Sequence, residues 1–157
     1  MKIAYTSNTY PFTLSLLGSK YYYSLRGINL FFYRRSQEKW KRIDSNKSLN
    51  YYKDYLLEIL VYTEDHGPVL PDNLINSADA WKTRFHLMSI KNDKRNDPRL
   101  IKTIEKLKEK ASGKFCKIKI VEIPDNTEYD IVMNVDIIGE SILGKCGCCN
   151  AFTKRFN

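Results

Sequence analysis

The sequence predicts a single α+β or α/β domain, a mixed sheet of about five strands with two or three helices. Three observations carry that expectation. In residues 96–133, NDPRLIKTIEKLKEKASGKFCKIKIVEIPDNTEYDIVM, a helix pattern gives way to a strand pattern and a turn. The opening of the chain reads strand, helix, strand. At 157 residues the chain has the length of one domain, able to bury about two-thirds of the surface it exposes when unfolded. The domain is expected to span 1–140, with 141–157 as an irregular, cysteine-containing tail.

Residues 2–6, KIAYT, are a short apolar run and predict the first strand. Residues 7–13 are polar, contain Pro11 and predict a loop. Ser15 is placed to cap a helix through Leu16, Leu17, Tyr21 and Leu25, which Gly18 weakens and Gly27 closes. Strand formers in 29–33 lead through 34–38 into 39–43 as a hairpin. Residues 49–62 have helix length, with Tyr51, Tyr52, Tyr55, Leu56, Ile59 and Leu60 on one face and a strand starting at Val61. A long loop, 63–80, carries Gly67, Pro68 and Pro71. Phe85 and Leu87 alternating with Arg84, His86 and Met88 predict a strand over 81–90. With the helix and strand that follow it, this would make a crossover unit, right-handed if its strands are parallel.

Asp97 followed by Pro98 is a helix start, because the carboxylate accepts from free amides of the first turn and proline has no amide to leave unpaired. Leu100, Ile101, Ile104, Leu107 and Ala111 then recur at helical spacing, opposite Lys102, Glu105, Lys106 and Glu109. Gly113 is expected to stop this helix in the left-handed conformation. Lys117 and Lys119 alternating with Ile118 and Ile120 predict a strand over 115–123. Pro124, Asp125 and Asn126 turn the chain, and 129–133 return as a strand.

The net charge is +8, and it is distributed in blocks. Residues 2–53 hold ten basic and two acidic side chains, 54–80 six acidic and no basic, 81–120 thirteen basic and four acidic, and 121–140 six acidic and no basic. Such blocks either pair with one another in the fold or leave a basic face for an anion, and the sequence leaves both open. No run of 18 apolar residues and no secretory leader pattern is present, so a soluble, unexported protein without a membrane partner is expected.

Several clusters bear on chemistry. The loop around Ser7, Asn8, Thr9, Tyr10, Thr13 and Ser15 sits at a strand-to-helix junction, where free amides attract phosphates and carboxylates. It lacks the glycines of a phosphate-binding or dinucleotide fingerprint. For an anionic ligand, Arg34, Arg35, Arg84 and Arg99 are the candidate phosphate contacts, and Tyr10 and Tyr33 the candidate stacking rings. Cys146, Cys148 and Cys149 form a CxCC cluster without a nearby histidine. With Cys116 they read as reduced thiols ahead of a disulfide or a metal site, so no metal and no cofactor is expected. Glu122, Asp125, Glu128, Asp130, Asp136 and Glu140 read as solvated turn chemistry ahead of a hard-cation or acid/base site. His66 and His86 have no recognisable Ser, Cys or carboxylate partner, so no nucleophilic triad can be assembled and the reading leans away from an enzyme.

DPRLIKTIEKLKEKASGKF followed by KIKIVEIPDNTEYDI resembles a family of small proteins common in tailed-phage genomes, whose members show a DPxLxxxxExLGxxAxGxxAxLKIVEIPDDVEWEI segment. The opening KIAYTSNTYPFTLS is similar to the family's KIAxNxCYGGFxLS, and GINLFFYRRS, VYTEDHG and LPDN also have counterparts. The family's glycines fall near Pro11 and Thr13 here, and its later acidic stretch is replaced by VMNVDIIGES. The resemblance implies a virus-encoded accessory protein acting in the host cytoplasm, and it implies no activity. Three functions are compatible with these residues. One is a non-enzymatic module that binds a small anionic, nucleotide-like ligand, as in counter-defence. The second is a nucleic-acid binder using the basic segment 91–119. The third is a protein-interaction module, either a host-factor inhibitor or a virion component, with the oligomeric state open.

Overall fold

The computed structural model describes residues 1–8, 10–52, 58–75, 88–134, 139–146 and 149–155. Its elements in chain order are β1 (Lys2–Thr6), α1 (Leu16–Ser24), β2 (Phe31–Ser36), β3 (Lys39–Arg42), α2 (Asn46–Tyr51), β4 (Ile59–Tyr62) and α3 (Asp72–Ile75). There follow α4 (Pro98–Leu107), β5 (Ile118–Glu122), β6 (Glu128–Asn134), β7 (Gly139–Cys146) and β8 (Cys149–Arg155). This is a single α+β domain, the class the sequence predicts. The strands form three small sheets, ordered β1-β5, β3-β2-β4 and β6-β7-β8, and every described pairing within them is antiparallel. Among the described residues the chain therefore builds three small sheets in place of a single mixed one, and no parallel crossover occurs.

Two-sided burial explains the division. Phe32 of β2 and Ile59 and Val61 of β4 join the main core with Leu14, Leu16, Tyr22, Leu100 and Ile104. Their neighbours Tyr33 and Leu60 point the other way, into a second core with Trp40 and Leu70. β1 divides likewise, with Ala4 in the main core and Ile3 in a third core beside Ile123, Ile131 and Ile142. A strand buried on both faces reads as a continuous apolar run, so its sequence does not say which sheet it joins.

Local signals hold where capping decides the structure. The Ser15 hydroxyl accepts from the Gly18 amide at 2.9 Å, and Gly27 leaves α1 with φ of 76°. Asp97 caps α4 by accepting from the Arg99 amide at 2.9 Å. The end of α4 differs from expectation. Lys108, at φ of 51°, stops it, and a 3-10 turn over Lys108–Ala111 follows. Gly113 serves close approach instead: its amide donates to the Thr13 carbonyl at 2.9 Å, and a Cβ there would lie 2.5 Å from the Thr13 hydroxyl.

Three further expectations are corrected. The helix foreseen over 49–62 is the short α2, capped by Ser45, and Ile59–Tyr62 is β4; residues 53–57 lie outside the described residues. The returning strand after the turn at Asn126 is β6, but it pairs with β7, while β5 pairs with β1 in the register Lys2↔Glu122 to Thr6↔Ile118. The described part of 141–157 is not irregular. β7 and β8 form a hairpin from Ser141↔Arg155 to Cys146↔Cys149, and the third core buries Ile142 completely. The strand foreseen over 81–90 falls largely outside the described residues, which resume at Met88; Ser89 bridges to Thr13.

α1 lies tightly against the turn after α4. The Ser15 amide donates to the Ala111 carbonyl at 2.8 Å, and a Cβ on Gly18 would meet that same oxygen at 2.7 Å. Gly18→Ala gains about 1 kcal/mol of helix propensity and incurs about 1–3 kcal/mol of overpacking. The expected net result is a lower melting temperature. An unchanged or raised value in thermal denaturation would mean that the backbone at Ala111 yields freely.

Candidate functional site

The arginines are spent in different ways, and their partners decide which can meet a ligand. Arg95 is 3% exposed and its guanidinium is fully engaged. Its Nε donates to the Ile90 carbonyl at 3.1 Å, Nη1 to Ala4 O at 3.4 Å and Glu140 Oε2 at 3.0 Å, and Nη2 to Asn92 Oδ1 at 3.3 Å and Glu140 Oε1 at 3.0 Å. These five acceptors match the five N–H groups of a guanidinium. The group also lies 3.7 Å from the centroid of the Phe12 ring, and the Thr6 amide donates to Glu140 Oε2 at 2.7 Å. This pair is structural, because no donor is left for a ligand.

Two residues on, Asp97 and Arg99 begin α4. Arg99 Nε donates to Asp97 Oδ1 at 2.9 Å and Nη2 to Oδ2 at 3.1 Å, and the buried Tyr22 hydroxyl donates to Oδ2 at 3.1 Å. Burial works to raise the Asp97 pKa, but hydrogen bonds from the Arg99 side chain and amide and from Tyr22 outweigh it and hold the carboxyl below its usual range. Around this start of α4 lies a hollow of about 570 Å³, lined by Tyr22, Arg26, Lys94, Asn96, Asp97 and Arg99 among others. A smaller hollow of about 260 Å³ adjoins it, sharing Tyr22, Arg26 and Lys94 and adding Tyr23 and Lys91. Arg26 is exposed, with its guanidinium 5.5 Å from the Tyr22 ring centroid and 5.2 Å from that of Tyr23. Asp93, within ion-pair distance of Lys94 at 3.6 Å, is the other carboxylate of the lining.

The expected site residues do not assemble as a group. Tyr33 is fully buried, and its hydroxyl donates to the Gly67 carbonyl at 2.9 Å and accepts from the His66 amide at 3.0 Å, so its ring has no face for a ligand. Arg34 lies 4.5 Å from the Tyr52 ring centroid and donates to that tyrosine's hydroxyl. Arg35 is exposed on β2, opposite Trp40 of β3. Tyr10 is exposed and stacks on Phe115. Arg84 and His86 lie outside the described residues. Arg99 alone of the expected set lines the hollow, which it shares with Arg26 and Lys94. Those two cations carry no distinctive local motif. The signal available for Arg26 was its position three residues after the run Tyr21-Tyr22-Tyr23 at the end of a capped helix.

Cys116 is buried, its thiol 3.4 Å from the Thr6 hydroxyl, and burial pushes its pKa up. The thiols of Cys146, Cys148 and Cys149 lie outside the described residues. Among the described residues no group of three or more His, Cys, Asp or Glu side chains is placed to hold a metal ion. No described helix is long and apolar enough to cross a membrane. Comparison with protein-family models, with curated proteins and with solved structures finds no match.

Two measurements check this geometry. Glu140→Gln leaves a buried guanidinium without its carboxylate and is expected to cost about 3–5 kcal/mol in urea denaturation. The double variant Arg95→Met with Glu140→Leu is expected to lose less, since no charge remains buried and unpaired. Burial, followed by the Asp97 charge, pushes Tyr22 up to about 12 from the usual 10. Because the folded value is the higher one, this contribution to stability is complete below about pH 10 and is lost as pH rises to about 12. Tyr22→Phe lacks it, so the stability gap between wild type and variant should narrow across that window in urea titrations at successive pH values.

Proposed function

We propose that this chain is a non-enzymatic binding module that holds a small anionic ligand, of the size and chemistry of a nucleotide, in the hollow at the start of α4. The observation that carries the reading is the meeting of three cations, Arg26 from just after α1 with Lys94 and Arg99 from the stretch that opens α4, on one hollow of about 570 Å³ beside Tyr22. That volume lies within the usual range for small-molecule sites. Arg26, next to the Tyr22 and Tyr23 rings, offers guanidinium N–H groups to phosphate oxygens, and Arg99 is oriented in advance by Asp97. The lining contains no histidine or cysteine, its Asp97 carboxylate is already engaged and its Asp93 carboxylate lies beside the Lys94 ammonium, so the chemistry at hand is retention of the anion. The resemblance to phage-encoded proteins supports a role in the host cytoplasm in which a small ligand is withheld from a host component.

A ligand that binds only the folded state raises the melting temperature. A thermal-shift series with inorganic phosphate, mononucleotides and cyclic nucleotides should find one that stabilises the wild type. The double variant Arg26→Ala with Lys94→Ala, both exposed in the free protein, should melt like the wild type without ligand and lose most of the ligand-induced shift. A shift that persists in that variant, or wild type that responds to no anion, overturns the reading.

A further inference from the structure

A second feature, independent of the hollow, is a pair of aromatic rings held out in solvent. Tyr10 is 49% and Phe115 56% exposed, and their rings stack with centroids 5.2 Å apart and planes inclined by 24°. The Lys114 ammonium lies 4.9 Å from the Phe115 centroid. Their backbone is anchored. Asn8 Nδ2 donates to the Phe115 carbonyl at 2.6 Å, the Ser7 amide to Lys117 O at 2.9 Å, and the Thr6 hydroxyl to Asn8 Oδ1 at 2.6 Å. Gly113, closed against Thr13, fixes the other side of the same loop pair. The rings therefore stand on a built ledge.

Charge narrows what such a ledge can hold. Residues 110–121 contain Lys110, Lys114, Lys117 and Lys119 and no carboxylate, and residues 3–37, which supply Tyr10, contain none either. All four of these lysines are exposed. A purely apolar partner would gain the rings and desolvate the lysines without return. An unpaired nucleobase offers a π-face to the rings while its phosphates meet the lysines, the combination that single-strand binders use. We propose that Tyr10 and Phe115, with Lys114 and Lys117, form a stacking platform for the bases of single-stranded nucleic acid. Lys110 and Lys119 extend its basic border, and the strand's phosphates release counterions as they settle there.

Fluorescence anisotropy with a labelled oligothymidylate tests this on the whole chain, beside an abasic strand of equal length and a duplex, each at two salt concentrations. The expected result is single-strand binding that weakens as salt rises, with the abasic strand and the duplex each bound at least about tenfold more weakly. Phe115→Ala or Tyr10→Ala should reduce affinity for the oligothymidylate by about tenfold, in line with the loss of one stacked base. Phe115→Leu, which keeps apolar bulk without a π-face, covers the case in which the alanine variant fails to fold. The Arg26→Ala, Lys94→Ala variant should bind the strand as wild type does, so failure of the anion hollow and failure of the platform are read separately. Absent binding, equal affinity for the abasic strand or the duplex, or affinity unchanged in all the ring variants overturns the proposal.

Discussion

Taking a guanidinium out of water costs several kcal/mol unless its charge and all its donors are matched, and the packing around Arg95 answers to that requirement. Its acceptors come from β1, from the segment just before it and from the start of β7, so three stretches distant in sequence must arrive together. The Ala4 amide also donates to the Arg95 carbonyl at 2.9 Å, joining the backbones of the same segments. A mispositioned β7 would leave the charge unpaired, which penalises alternative packings of the C-terminal hairpin more than loss of apolar area would.

The same anchor serves the hollow. Lys94, Asp97 and Arg99 flank Arg95 in sequence, so the cations expected to face a ligand stand on backbone that the buried pair holds still. Tyr22 completes the arrangement from α1, whose start is clamped against Ala111. Of the cations around the hollow, Arg99 has its side chain held by the Asp97 carboxylate and would lose little freedom on meeting an anion, while Arg26 and Lys94 reach into solvent.

The alternating charge blocks are resolved partly by pairing. Arg95 reaches Glu140 in the last acidic block, and Arg42 bridges Asp44 and, at 2.6 Å, Asp65 in the first. Exposed lysines remain on the outer side of α4 and through the loop that leads to β5, among them Lys102, Lys106, Lys110, Lys114 and Lys117. The elements governed by local rules were legible in sequence. Ser15 and Asp97 cap where they should, β1 has its expected limits, and β2 and β3 pair as the expected hairpin. Strand partnership was not legible, because Phe32 and Tyr33, or Leu60 and Val61, are apolar on both sides and give no alternation from which to choose a sheet. The β7–β8 hairpin was missed for a related reason: consecutive Ser141 and Ile142 are both buried, which erases the period of two. Of the candidate site, Arg99 was visible and Arg26 and Lys94 were not, since Arg26 joins the hollow from a distant part of the chain and Lys94 is one lysine among many in a basic stretch.

The pairing of β1 with β5 joins two strands made far apart in time, and β1 has no other described sheet partner. During synthesis that strand must wait, half apolar and unpaired, until Glu122 has emerged, and Arg95 waits longer still for Glu140. Closure across such separations is slow compared with helix formation. The nascent chain therefore carries its helices and the β2–β3 hairpin well before it has a finished core, and the interval in which a chaperone or a protease can intervene is written into the order of its strands.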